Sequence, residues 1–93
     1  GWGDRRNKFI GLQDKVWRTR GAGDFWSHML VAEGAVDISV EPQLNLWDMA
    51  ALDVIVRESG GTFTNISGAP GPHGGSAIAS NGLLHKDFLA ELN

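Results

Sequence analysis

The sequence predicts an α/β fold, and three observations carry that prediction. Residues 36–40, Val-Asp-Ile-Ser-Val, alternate apolar and polar side chains as a half-buried strand does. Residues 46–59 hold nine apolar side chains with no proline and run into Gly60-Gly61, the mark of a helix and its end. Around these two, strand-like and helix-like segments take turns, the order from which sheets covered by helices are built.

Taken along the chain, residues 4–14 read as a short helix whose apolar contacts are Phe9, Ile10 and Leu12. Lys15 to Arg20 alternates Lys-Val-Trp-Arg-Thr-Arg and reads as a strand. Gly21-Ala22-Gly23 is a turn, after which Asp24 is placed to N-cap a helix from Phe25 to Glu33 that stops at Gly34. The strand at Val36–Val40 is ended by Glu41-Pro42, because Pro42 has no N–H for a ladder. The helix Leu46–Ser59 is apolar on most sides, which predicts burial between layers. Gly61 to Ile66 reads as a strand, Ser67 to Gly75 as a Gly/Pro-rich surface loop, and Ala77 to Ala79 as a short buried strand. A last helix, Gly82 to Leu92, lines up Leu84, Phe88 and Leu92 at four-residue steps. No repeat or linker interrupts this order, so residues 1–93 are expected to form a single domain.

Charge and composition narrow the function. Residues 1–20 carry six basic side chains against Asp4 and Asp14, a net of +4, while the remainder carries a net of −7. The basic residues are interleaved with Trp2, Phe9, Ile10, Leu12, Val16 and Trp17 in no compact cluster, which argues against nucleic-acid binding. The acidic remainder suits a site that gathers divalent cations. No apolar run reaches the roughly 18 residues that would cross a membrane. There is no cysteine, so thiolate metal sites and disulfides are excluded, in keeping with a cytoplasmic protein.

Asp48 is the residue with the most chemistry in its context. It follows Trp47 at the head of the apolar helix, where a carboxylate can ligate a hard, oxygen-seeking cation such as Mg²⁺. The plain alternative is a capping box, with Asn45 as N-cap and Asp48 at the third helical position. The two roles are compatible, since an anion there offsets the dipole that would repel a cation. Asp37, between Val36 and Ile38, reads as structural or solvent-facing. His28, His73 and His85 lack metal-ligand spacing and read as surface or packing residues. The loop around Pro70-Gly-Pro-His-Gly-Gly lacks the Lys-Ser/Thr of a phosphate-binding P-loop.

Five segments, in order, carry a family resemblance: Arg18-Thr-Arg-Gly-Ala-Gly-Asp-Phe-Trp, Leu30-Val-Ala-Glu-Gly-Ala-Val-Asp, Trp47-Asp-Met-Ala-Ala, Glu58-Ser-Gly-Gly and Ala79-Ser-Asn. Together they resemble the C-terminal part of the inositol-monophosphatase family of Mg²⁺-dependent phosphomonoesterases. Arg18 to Trp26 is similar to the bacterial branch that hydrolyses histidinol phosphate in histidine synthesis. The resemblance implies the C-terminal α/β portion of a layered sandwich, a small phosphorylated substrate and Mg²⁺ as cofactor. It also implies that Asp48 is a metal ligand and that Glu41 contacts polar groups of the substrate, against the alternative of a solvated strand-end acid. Asp24 is the candidate reader of a cationic amine or imidazole, against the alternative of a helix cap. An inositol phosphate is the second candidate substrate.

The family's other ligands, an upstream Glu and an Asp-Pro-x-Asp-Gly-Thr/Ser motif, do not occur in these residues. One carboxylate does not hold Mg²⁺ against water, so the 93 residues alone are expected to be inactive. The rest of the site is expected from an N-terminal half or from a second chain, and family members are commonly dimers. A non-catalytic binding or assembly module that keeps the fold, with Asp48 only as a cap, is the competing reading.

Overall fold

The computed structural model describes all residues from Gly1 to Asn93. A 3-10 turn at Gly3–Arg5 leads into α1 (Arg6–Gln13), followed by α2 (Trp26–Ala32), β1 (Ile38–Glu41), α3 (Leu46–Glu58), β2 (Thr62–Thr64), β3 (Ala77–Ser80) and α4 (His85–Leu92). The three strands form one antiparallel sheet in the order β1-β3-β2, so β1 and β2 are its edges. No helix is long and apolar enough to cross a membrane.

Strand parity sorts the core into two layers. Ala77 and Ala79 of β3 and Phe63 of β2 face α2 and α3, where they pack with Val31, Met49, Leu52 and Val56. Ile78, between the two alanines, faces the other way and packs with Leu12, Ile66 and Leu92 under α1 and α4. Successive side chains of a strand point to opposite faces, so one small central strand serves both layers. The same parity applies to β1. Ile38 and Val40 lie against the α1/α4 layer, which turns Ser39 and Glu41 toward α2 and α3. The Ser39 hydroxyl there meets that of Ser27 on α2 at 2.8 Å.

The glycine stop of α3 acts as expected, and two further local contacts hold the sheet. Gly60 follows α3 with φ of 93°, the left-handed step that a glycine takes without steric cost. Gly61 lies so close to its surroundings that an added Cβ would sit 2.6 Å from the Ser80 carbonyl oxygen. Asn81, in the Ala79-Ser-Asn segment, donates from its backbone N–H to the Asp37 carbonyl (3.2 Å) and from its side chain to the Asp37 carboxylate (3.3 Å). This clasp joins the end of β3 to the start of β1.

Three expectations fail. Residues 15–20 form no strand, because no neighbouring strand is available to take their backbone groups, and Trp17 is 90% exposed. Asp24 does not cap α2. Phe25 occupies the cap position without a side-chain bond, while Asp24 stands at φ of +52°. The helix at 46–58 is not buried all round. Met49, Leu52, Asp53 and Val56 are buried, but Leu46, Trp47, Val54 and Ile55 are exposed, because the sheet covers one side of α3 only. The buried Asp53 is matched by Arg57 one turn later, whose guanidinium donates to both carboxylate oxygens at 2.9 and 3.0 Å.

A buried polar chain links the sheet to α4. His85 Nδ1 lies 2.7 Å from the Ser80 hydroxyl and Nε2 lies 2.8 Å from the Thr64 hydroxyl. Burial holds the imidazole pKa below its ordinary value, so the ring is neutral.

Candidate active site

Asp24, Glu41 and Asp48 come from three separate elements and line one cavity of about 350 Å³, together with Phe25, Leu44 and Leu52. Each arrives for a local reason. Glu41 is the last residue of β1, and parity aims it at the α2/α3 side. Asp48 sits in the first turn of α3. The loop leading there is pinned by the Leu44 N–H, which donates to the Gly75 carbonyl at 2.8 Å. Asp24 lies in the turn before α2, in the left-handed region that Asp tolerates better than most side chains. Strain of this kind is retained where surrounding structure holds it, often beside a functional cavity.

Asp48 also works as a capping residue. The Asn45 N–H donates to its Oδ2 at 3.2 Å, and the Asp48 N–H donates to the Asn45 carbonyl at 3.0 Å. The Asn45 side chain faces the Asp48 amide as in a capping box without reaching close hydrogen-bond geometry. One carboxylate oxygen is therefore committed to the helix start, and Asp48 as a whole remains exposed.

The three acids repel one another. The Glu41 carboxyl is held above the usual carboxylate range, first by burial, then by the negative charges of Asp24 and Asp48. The polar neighbour of Glu41 is His28 on α2, with Nε2 3.3 Å from Oε1. That contact is within ion-pair distance but is not aligned as a hydrogen bond, and neither ring nitrogen of His28 has a hydrogen-bond partner. The His28 side chain is fully buried, its ring tilted against Phe63 at 6.0 Å, and burial pushes its pKa down to about 4. It is a neutral imidazole beside an acid. The sequence offered no sign of this role, because a lone histidine on a helix has no spacing to read.

An acidic cavity with oxygen donors only is the chemistry that a hard cation or a cationic substrate group prefers. Yet no group of three His, Asp or Glu side chains is spaced to hold a metal ion by itself. These residues fit one wall of a metal site, not its whole ligand shell. A second depression, lined by Asp4, Arg5, Lys8, Leu92 and Asn93, has its cationic groups already committed. Arg5 donates to the Asn93 side chain at 2.9 Å and Lys8 to the Asn93 carbonyl at 2.6 Å.

Residues 4–93 match the description of the Inositol monophosphatase family. The histidinol-phosphatase of Mycobacterium tuberculosis is 62% identical over 88 residues, which are 95% of this chain and 34% of that protein. The histidinol-phosphatase of Streptomyces coelicolor is 57% identical over 95 residues, covering 100% of this chain and 36% of that protein. The solved structure of the Thermotoga maritima IMPase superimposes with a TM-score of 0.83 at 34% identity, covering 100% of this chain and 38% of that one. The chain thus spans about a third of the length of the relatives it matches.

Proposed function

Because this chain belongs to the inositol monophosphatase family, we propose that it forms one wall of the active site of a Mg²⁺-dependent phosphomonoesterase that hydrolyses histidinol phosphate. The observation that carries this reading is the meeting of Asp24, Glu41 and Asp48 in one cavity. The identity of 57–62% to two histidinol-phosphatases supports the choice of substrate.

Each side chain has a task in this reading. Asp48, with Oδ2 fixed by the Asn45 N–H, keeps its other oxygen for the cation. When bound, Mg²⁺ supplies an activated water and charge stabilisation for phosphoryl transfer. Glu41, half-buried at the end of β1, takes a polar group of the substrate. Asp24, on the exposed rim, pairs with the cationic amine or imidazole that distinguishes histidinol from inositol. Phe25, Leu44 and Leu52 line the cavity between them and limit its water. The remaining metal ligands and the phosphate cradle come from polypeptide outside these residues, and the 93 residues by themselves are inactive.

An inositol phosphate is the second substrate considered, favoured by the likeness to the Thermotoga maritima IMPase. The test is Asp48→Asn in the intact enzyme, assayed with both phosphate esters. Loss of most Mg²⁺-dependent turnover supports the reading. Near-normal turnover removes Asp48 from the metal site and leaves a folded binding module with a capped helix.

A further inference from the structure

His28 is the one buried group whose polar atoms the fold leaves unanswered. Its side chain is fully buried, and neither ring nitrogen is hydrogen-bonded. A neutral imidazole still carries one N–H, and a buried donor without a partner is destabilising. A residue kept only to fill space against Phe63 would serve better as leucine or methionine. The acceptor within reach is Glu41, whose Oε1 lies 3.3 Å from Nε2. Glu41 in turn faces two like charges across the cavity, and no other side-chain bond holds its carboxylate.

We propose that His28 is a positioning residue for substrate recognition: its Nε2–H holds Oε1 of Glu41 so that the other carboxylate oxygen is presented to the substrate's polar group. This rests on the reading of Glu41 given under Proposed function. The 3.3 Å contact closes to a hydrogen bond once a ligand fixes the second oxygen, as unliganded sites commonly tighten on binding. His28 sits on α2 and Glu41 on β1, and the Ser27–Ser39 contact beside them fixes the separation of those two elements. The positioning therefore depends on how α2 lies across β1 and not on the mobile end of a loop.

The experiment uses the intact enzyme with histidinol phosphate. His28→Leu raises KM about tenfold, the loss of one charge-assisted hydrogen bond, while kcat stays within about twofold. His28→Gln, which returns an N–H near the same place, recovers most of that KM. In a Glu41→Gln background, adding His28→Leu changes KM by less than about twofold, because His28 acts only through Glu41. An equal effect in both backgrounds, an unchanged KM, or a glutamine variant as impaired as leucine overturns the proposal. Should the leucine variant not fold, His28→Met, closer in shape, takes its place. Crystal structures give a reading independent of turnover: the Glu41 carboxylate turns away in His28→Leu and returns in His28→Gln. An unmoved carboxylate overturns the inference. Absence of histidinol phosphate hydrolysis in the unmutated enzyme would instead strike at the substrate assignment and leave this crystallographic comparison to decide on His28.

Discussion

Thr64→Val is the sharpest test of the polar chain that fastens α4 to the sheet. Thr64 lies 6% exposed, with its hydroxyl 2.8 Å from His85 Nε2 and 2.8 Å from the carbonyl of Asn65. The carbonyl only accepts, so the Thr64 proton goes to Asn65 and Nε2 of His85 has to donate to Thr64. Nδ1 of the neutral ring then accepts from the Ser80 hydroxyl, which itself accepts from the Gly82 N–H at 3.0 Å. Every proton has one consistent direction. Valine keeps the shape of threonine and removes the acceptor, so the His85 N–H is left buried and unpaired, costing about 1–3 kcal/mol. His85→Leu alone also destabilises, but it removes the donor that Thr64→Val would orphan. The double variant therefore costs less than the two singles together, by about 1 kcal/mol or more. Urea unfolding of the full-length protein at neutral pH measures all four proteins. A Thr64→Val loss below about 0.5 kcal/mol, or strict additivity, refutes the proton order. So does a ring nitrogen spectrum showing His85 protonated at Nδ1.

Three further outcomes are expected. On the proposed function, Asp24→Asn in the full-length protein weakens histidinol phosphate far more than an inositol phosphate, read as the ratio of their kcat/KM values; equal losses would remove Asp24 from substrate reading. Gly61→Ala destabilises by about 1–3 kcal/mol, because the new methyl meets the Ser80 carbonyl at 2.6 Å and a Val56 methyl at 2.9 Å, and the urea midpoint checks it. Acid weakens the fold through His28: its folded pKa of about 4 lies below the 6.5 of an unperturbed imidazole, so the unfolded chain takes up the proton first. That contribution is complete above about pH 6.5 and is lost as the pH falls toward 4, by roughly 3 kcal/mol. His85 acts in the same direction, whereas Glu41, with its raised pKa, adds stability on acidification and reduces the net loss. His28→Met flattens the dependence of the urea midpoint on pH, and an unaltered slope in that variant contradicts the assignment.

Local chemistry made much of this readable from the residues. The capping of α3 by Asn45 and Asp48, its glycine stop and the parity of β1 all depend on neighbours within a few positions, and the structure has them as expected. Lys15–Arg20 misled because alternation describes a strand's faces and says nothing of a partner to pair with. Asp24 looked like a cap because it precedes a helix, but the Gly-rich turn carries the chain through a left-handed residue and starts α2 one position later. For α3, an all-round apolar surface reported what the helix could bury, not what these residues cover. His28 and Asp53 were illegible for a different reason. Their meaning lies in a contact across elements or in a burial that only the assembled sheet creates.

The placement of β1 at a sheet margin has one more consequence. Residues 38–41 bond to β3 along one flank, and their opposite flank is open to another ladder. Any strand added there would run alongside Glu41 and bring its own side chains to the mouth of the acidic hollow. Extending the sheet and bringing further polar groups to the cavity would then be a single docking event, with the register of that pairing setting which new groups face the three carboxylates.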